Sequence, residues 1–277
     1  GQASTSQNVQ LLLLESLPQL SSSTDSDGDG ISDAEEGVTD SDNDRIPDYL
    51  DAIDDPTLLS TNAGSDEGSL MSTDEGLQLA LGDLAAASQS GGAQLTTNDI
   101  VNDDGEQVTD DSFSIVGGVY DFEVSGLNEA SRQAQVVIPL TQGIPANAVY
   151  RKFNGELWLD FVEDGDNALA SAAKVDGLCP SAESEDYQAG LVPFTNCIRL
   201  TLFDGGPNDA DGVVNGVIKD PGGVAIATAD LSVSFEQEQL QKPTEQPEGA
   251  GALRLSFAAV LILFGFIRVR RKTRRRT

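Results

Sequence analysis

The sequence predicts a mainly β protein whose central part is an antiparallel β-sandwich. Short apolar runs recur between residues 76 and 235, and each is bounded by Gly, Asn, Asp or Pro. This pattern is typical of the strands of an antiparallel sandwich. A regularly spaced acidic stretch precedes these runs, and a short apolar segment followed by arginines ends the chain. We therefore expect one β domain with segments of different character on either side.

Charge and composition narrow the classes of function. The chain has 46 acidic and 16 basic residues, and eight of the bases lie beyond Gly251. The part of the chain before Gly251 is therefore strongly acidic and repels nucleic acid, so we predict no nucleic-acid partner. Histidine is absent, which excludes a Ser-His-Asp triad, a Cys-His dyad and a histidine-ligated zinc or iron site. A hydrolase with two carboxylates stays open, but the spacing of the acids selects no pair, and we predict a protein that is not an enzyme.

The first acidic segment, residues 25–36, is DSDGDGISDAEE. It matches a twelve-residue calcium loop, in which alternate oxygen ligands converge on one hard cation and a glycine allows the sharp turn. The predicted ligands, at positions 1, 3, 5, 7, 9 and 12, are Asp25, Asp27, Asp29, the carbonyl of Ile31, Asp33 and Glu36. The alternative is a disordered acidic linker.

A second copy, DSDNDRIPDYLD, begins fifteen residues later and spans residues 40–51. Its predicted ligands are Asp40, Asp42, Asp44, the carbonyl of Ile46, Asp48 and Asp51. Arg45 replaces the turn glycine, which costs about 1–2 kcal/mol if it adopts the left-handed conformation. Asp51 is shorter than the usual Glu, so we expect weaker binding here than in the first loop.

The two tandem loops, with Pro47 blocking a regular helix after the second, resemble thrombospondin type 3 repeats. The resemblance covers residues 25–55 and implies a chain wound around calcium ions with almost no hydrophobic core. Extracellular modules of this kind bind calcium at about 10⁻⁴–10⁻³ M, so we expect Ca²⁺ as a structural ion.

The strands of the sandwich are predicted from alternating apolar positions. These lie at residues 77–81, 119–124, 136–140, 149–153, 157–162, 197–203 and 224–226. The two cysteines, Cys179 and Cys197, are expected to form a disulfide if the domain is exported, contributing about 3 kcal/mol for a loop of this size. A buried reduced pair is the alternative.

The stretches IPANAVYRK and DGGPNDADG lie inside this domain. With the sequence around them, roughly residues 76–227, they resemble the bacterial choice-of-anchor U domain. The resemblance implies a domain that stands before one of several alternative C-terminal anchors, often beside thrombospondin type 3 repeats. It supplies no catalytic chemistry.

Residues 252–277 predict the destination of the protein. The apolar stretch from residue 255 to 267 is followed by a dense basic cluster, which the positive-inside rule leaves in the cytoplasm. A helix of this length covers roughly 20 Å, less than the ~30 Å hydrocarbon core. The segment resembles the GlyGly-type sorting signals of Gram-negative bacteria, which are recognised by intramembrane proteases. In such signals a pair or run of glycines is usual, and here the corresponding residues are Gly249, Ala250 and Gly251. A permanent tail anchor is the alternative.

These observations predict six segments along the chain. They are a linker or the end of an upstream domain (1–24), the calcium repeats (25–55), a linker (56–75), the β-sandwich (76–235), a flexible tether (236–251) and the sorting signal with a transmembrane helix (252–277). We expect an exported protein that passes the periplasmic face of the inner membrane and reaches the cell surface. The predicted function is a calcium-stabilised structural or adhesive scaffold. The alternative is a module whose loops bind a surface glycan, polymer or protein, which an exposed aromatic patch around Tyr150 and Trp158 would favour.

Overall fold

The computed structural model describes residues 18–63, 69–88 and 90–228. The predicted tether, the C-terminal helix and its basic tail lie outside these ranges. Thirteen strands form in the described residues: β1 (Leu58–Ser60), β2 (Leu70–Thr73), β3 (Gln78–Leu81), β4 (Gln94–Leu95), β5 (Phe113–Ile115), β6 (Val119–Ser125), β7 (Gln133–Pro139), β8 (Val149–Phe153), β9 (Trp158–Asp160), β10 (Ala168–Ala172), β11 (Gln188–Ala189), β12 (Cys197–Phe203) and β13 (Val217–Ala227). The helical elements given whole by the described residues are α1 (Asp33–Glu36), α2 (Asp83–Ser88) and single 3₁₀ turns at Asp48–Leu50 and Thr97–Asp99. Within the described ranges, no helix is long and apolar enough to cross a membrane.

The strands form two antiparallel sheets, so the prediction of a mainly β antiparallel fold is confirmed. Sheet A has the order β1-β2-β7-β12-β10-β11, and sheet B has the order β3-β6-β13-β8-β9, with β4 paired to β6 and β5 to β13. One hydrophobic core takes buried residues from both sheets, for example Val136 and Leu200 from sheet A and Phe122 and Val224 from sheet B. Two sheets that share one core in this way have the arrangement of a β-sandwich.

The sandwich begins earlier in the chain than the sequence pattern predicts. Residues 56–75, expected to be a linker, contain β1 and β2, and β2 pairs directly with β7. Ile46, inside the second acidic loop, is only 2% exposed and belongs to the same core. These strands are short, so their alternation extends over too few residues to stand out in the sequence.

The central strand β13 runs through a sequence that predicts a chain break. Pro221, Gly222 and Gly223 lie inside it, and such residues usually end a strand. Here β13 pairs with β6 through residues 217–222 and with β8 through residues 222–225. The ladder with β6 therefore ends at Gly222, and the ladder with β8 begins there. Only residues 224–226 of β13 carried the expected apolar signal.

The predicted disulfide between Cys179 and Cys197 is confirmed, with a Cα–Cα distance of 5.6 Å. Cys197 opens β12, while Cys179 lies in the loop between β10 and β11. Around the bond, Tyr187 and Ala182 pack on Val137 in a second, smaller apolar cluster. The disulfide therefore holds this long loop against the outer face of sheet A.

Removal of the disulfide should lower the free energy of unfolding by about 3 kcal/mol, because the unfolded chain regains the freedom of an 18-residue loop. We expect this difference between the wild type and the double variant Cys179→Ala/Cys197→Ala in urea unfolding followed by circular dichroism. A thiol reductant should destabilise the wild type and leave the variant unchanged. Equal stability of the two proteins would contradict the prediction.

Candidate metal-binding loops

In each acidic loop, the acid at position 1 accepts one hydrogen bond from the backbone at position 6 and a second from position 4 or 5. In the first loop, Asp25 accepts hydrogen bonds from the backbone N–H groups of Gly28 (2.8 Å) and Gly30 (3.1 Å). In the second, Asp40 accepts them from Asp44 (3.0 Å) and Arg45 (3.0 Å). The carboxylate at position 1 thus closes each loop onto its own backbone. The repeat predicted from spacing is therefore also a repeat of conformation.

The acids at positions 3 and 5 also follow one pattern. Asp27 and its equivalent Asp42 accept from the backbone two residues later, at 3.1 and 3.2 Å. Asp29 and its equivalent Asp44 accept from the N–H groups of the isoleucines at position 7, both at 2.6 Å. Each of these carboxylates keeps a second oxygen for another partner.

Each loop brings its first three acids together. One oxygen from each of Asp25, Asp27 and Asp29 lies within 4.8 Å of the others, and the same holds for Asp40, Asp42 and Asp44. We call these sets the first trio and the second trio. Oxygens gathered in this way from flexible loops are the ligands that calcium prefers.

The acids at position 9 shape their loops, and their predicted role as ligands stays a prediction. Asp33 accepts hydrogen bonds from the backbone N–H (2.8 Å) and the hydroxyl (3.0 Å) of Ser26. Asp48 does the same with Ser41, at 2.8 and 2.9 Å. Both oxygens of each carboxylate therefore hold the loop in shape, and each carboxylate still has at least one lone pair available to a cation. The serine at position 2 of each loop is the sequence signal for this arrangement.

Glu36 and Asp51, predicted to close the shells at position 12, lie close to the trios. Burial, followed by the negative charges of Asp27 and Asp29, raises the pKa of Glu36 to about 6. Burial, opposed by a hydrogen bond from Ile53 and reinforced by Asp42, raises the pKa of Asp51 to about 7. Both acids therefore lie in the electrostatic field of their own trio. Asp51 is 6% exposed.

Three carboxylate oxygens of these loops are buried without a hydrogen-bond partner in the described structure. They are Oδ2 of Asp27, Oε2 of Glu36 and Oδ2 of Asp42. Two of them occupy position 3 of their loops, and the third occupies position 12 of the first loop. Asp42 is only 7% exposed as a whole residue. A buried carboxylate without a donor is costly, and a bound cation would remove that cost.

The structure adds one acid that the loop pattern does not include. Asp54 lies beyond the twelfth position of the second loop, and its pKa is raised by burial and by the charges of Asp48 and Asp29. Its charge in turn raises the pKa of Asp42. Because Asp54 interacts with acids of both loops, the two loops lie side by side. The acid-rich run after Asp51 was the available sequence signal.

The second loop is built into the sandwich. Ile46 is buried in the core, and the backbone N–H of Leu81 in β3 donates to the carbonyl of Asp44 at 2.9 Å. The amide of Gln78 donates to the carbonyls of Asp42 (2.9 Å) and Asn43 (2.7 Å). The corresponding Ile31 of the first loop is 46% exposed. The two similar loops therefore differ in how strongly they are tied to the β domain.

Arg45 adopts the left-handed conformation that its position requires, with φ of 76°. The guanidinium of Arg45 donates to the carbonyl of Leu81 at 2.7 Å and pairs with Glu123 at 2.6 Å. Lys219 pairs with the same Glu123 at 3.0 Å. These contacts offset the backbone strain and attach the turn of the second loop to the outer face of sheet B.

Without calcium, the stability of the protein should fall as the pH rises from about 5 to about 8. The pKa of Asp44 is raised from 3.8 to about 8, by burial first and then by Asp42 and Asp51. A folded-state pKa above the unfolded value means that the folded chain binds more protons. This stabilisation is complete below pH 3.8 and is lost as the pH rises through the folded values of Asp51 and Asp44.

The measurement is urea unfolding in chelator at pH 5, 6, 7 and 8. The control is Asp44→Asn, which keeps an acceptor for the backbone of Ile46 but cannot titrate, and it should reduce the pH dependence by up to about one proton. Equal pH dependence in the variant would show that general charge repulsion, and not this loop, is responsible.

The aromatic patch that would favour a ligand-binding module is not exposed. Tyr150 is 2% exposed, in the core. Trp158 is half-buried, and its indole N–H donates to the carbonyl of Val108 at 3.2 Å. Its ring packs on Phe153 with centroids 5.5 Å apart. Both aromatic residues therefore serve packing.

The chain was compared with protein-family models, with curated proteins and with solved structures. None of the three comparisons found a match. The loop geometry, the disulfide and the sandwich therefore carry the functional interpretation.

Proposed function

We propose that this chain is a non-enzymatic, calcium-stabilised scaffold of the Gram-negative cell surface. The observation that carries the proposal is the set of buried, unpartnered carboxylate oxygens of Asp27, Glu36 and Asp42 beside the two trios. A divalent cation at each trio would satisfy these oxygens and neutralise charges that otherwise repel one another.

Calcium is the cation that these loops fit best. It accepts six to eight oxygen ligands in flexible geometry, whereas magnesium requires a smaller octahedral site and retains its water. Each trio supplies three carboxylates from five consecutive residues. Glu36 would complete the coordination shell at the first trio, and Asp51 at the second. Ile31 and Ile46 would add the carbonyl ligand at position 7.

Export is supported by the disulfide and by the C-terminal sequence. Structural disulfides persist in oxidising compartments, and Cys179–Cys197 is such a bond in a domain with no free cysteine among the described residues. The apolar stretch of residues 255–267 with its basic tail supports transfer to the surface through a sorting protease or retention by a membrane anchor. In either case the sandwich would face the outside.

We further propose that calcium sets the stiffness of the connection between the sandwich and whatever precedes it. The second loop is attached to the β domain by Ile46 and Arg45. The first loop lies beside the second, and the negative charge of its Asp29 acts on Asp54. Neutralising the acids between the loops would remove their mutual repulsion and fix the first loop on the second. Such a rigid base suits a structural or adhesive scaffold.

Isothermal titration calorimetry with calcium tests the proposal, on the chain ending at Gly251. The wild type should bind at least two ions, and Asp27→Asn and Asp42→Asn should each abolish one of them. Asp103→Asn removes one exposed acid outside the loops and should change nothing. Magnesium at the same concentration should bind far more weakly. No saturable binding at millimolar calcium, or no loss in either loop variant, would refute the proposal.

A further inference from the structure

The inner face of sheet B buries one lysine and one aspartate among aromatic and aliphatic side chains. Lys152 on β8 is 4% exposed, and Asp220 on β13 is 0% exposed. Tyr120, Phe122 and Val224, on the same sheet, are exposed by at most 2%. A lysine is almost never buried to this extent unless it is paired. This pair plays no part in the calcium loops.

Strand register brings the two side chains together. Gly222 lies directly opposite Lys152, and Asp220 precedes Gly222 by two residues, so all three face the same side of the sheet. The Nζ atom of Lys152 is in contact with Oδ1 of Asp220. A Cβ at Gly222 would lie 2.6 Å from Cε1 of Tyr150 and 3.1 Å from Oδ1 of Asp220. The missing side chain of Gly222 therefore leaves the space in which the amine reaches the carboxyl group.

The side chains of Lys152 and Asp220 receive no hydrogen bonds from other described residues. Apart from their mutual contact, the amine of Lys152 and both carboxyl oxygens of Asp220 lack a hydrogen-bond partner among the described residues, as does the nearby hydroxyl of Tyr150. An ammonium ion has three donors, and a carboxylate accepts several hydrogen bonds. An ion pair buried with so few partners costs more in desolvation than it gains in attraction.

Burial favours the uncharged form of both groups. Desolvation lowers the pKa of Lys152, although the charge of Asp220 opposes the shift. Desolvation raises the pKa of Asp220, opposed by Lys152 and reinforced by the charge of Asp209. A neutral amine is a nucleophile, and a neutral carboxylic acid can be attacked at its carbon because it carries no repelling charge. The site therefore favours the two forms that can condense.

We propose that Lys152 and Asp220 join in an intramolecular amide bond. The lone pair of Nζ attacks Cγ of Asp220, and a C–N bond forms. The C–O bond to one carboxyl oxygen then breaks, and that oxygen leaves as water with its own proton and one proton from Nζ. One amine and one carboxylic acid become one secondary amide and one water molecule, so the step needs no oxidant, reductant or cofactor.

The fold holds the two reacting groups in contact and excludes water from them. Holding two reactants in contact in a rigid site contributes an effective concentration of about 10⁵ M or more in well-oriented systems. The apolar surroundings, with Phe122 and Val224 fully buried, keep bulk water from the product and oppose its hydrolysis. The amide also replaces an amine and a carboxyl group, both with few hydrogen-bond partners, by one neutral group that cannot ionise.

The cross-link would join two neighbouring strands at the centre of sheet B. β8 and β13 are already paired through residues 149–152 and 222–225, and the covalent bond would prevent them from separating. In the other sheet, the disulfide holds the β10–β11 loop against β12. Unlike the disulfide, the amide would resist reductants, and unlike the loops it would not depend on calcium.

Mass spectrometry of the full-length chain after disulfide reduction tests the proposal. The folded wild type should weigh less than its sequence by one water molecule, and a protease digest should contain a branched peptide that joins Lys152 to Asp220. Lys152→Met and Asp220→Ala should each restore the full mass. Lys174→Met, which removes a half-buried lysine elsewhere, should keep the loss of water.

Two results would overturn the proposal. One is a folded wild type of full mass, which would leave Lys152 and Asp220 as a buried non-covalent pair. The other is a loss of water that maps to an Asp-Gly sequence such as Asp164–Gly165, or that hydroxylamine cleaves, since both indicate a cyclic imide. If Lys152→Met does not fold, the mass and the branched peptide of the wild type decide the question alone.

Discussion

Calcium should raise the free energy of unfolding of the β domain by about 2.7 kcal/mol for each coupled site, at a free concentration near 100 times the dissociation constant. For sites of about 10⁻⁴ M this concentration is about 10 mM. The reason is linkage, since a cation that binds only the folded loops stabilises the fold that holds them. The second site should contribute in full, because its loop shares the sandwich core through Ile46.

The measurement is urea unfolding, followed by the circular dichroism of the sandwich, in calcium and in chelator. Sodium chloride at matched ionic strength controls for screening of the acidic surface. Asp42→Asn should lose most of the calcium effect, while Asp27→Asn should lose less, because the first loop has no buried isoleucine to tie it to the core. An equal response to calcium in wild type and Asp42→Asn would contradict the coupling.

Ile46→Ala should destabilise the whole β domain by about 2–5 kcal/mol, the range for truncating a buried aliphatic side chain. Ile31→Ala is the matched control, because it makes the same change at the same loop position. Ile31 is 46% exposed and Ile46 is 2% exposed. The control should therefore stay within about 0.5 kcal/mol of the wild type.

Both variants are compared in chelator, so that calcium binding does not contribute to the difference. The Ile46 variant should also bind calcium more weakly at the second site, because the loop is less firmly held against β3. Equal stabilities of the two variants would mean that the second loop is an independent spacer, as the sequence alone suggested.

Spacing in the sequence was sufficient to find the loops. The positions of Asp25, Asp27 and Asp29, and their repetition at Asp40, Asp42 and Asp44, predicted two trios, and both trios form. This works because a calcium loop is a local structure, whose ligands lie within a few residues of one another. The left-handed conformation of Arg45 was predictable for the same reason.

The longer strands were also predictable, because a half-buried strand alternates in polarity over enough residues to be recognised. β8 and β12 begin and end at the predicted residues. β10, with the sequence ALASA, is buried at four of its five positions but lacks the branched residues that mark strands. Its place in sheet A comes from its partner β12, which lies far along the chain.

Tertiary structure alone decided how these local pieces combine. It placed Ile46 in the core and left Ile31 46% exposed, although the two loops are alike in sequence, because the second loop contacts β3 and Glu123. It also brought Lys152 and Asp220, 68 positions apart, into contact on one face of sheet B. The sequence by itself determined the trios and the alternating strands, whose signals are local. Contacts between distant strands depend on pairing and register across the whole sandwich, and no short stretch of sequence contains that information.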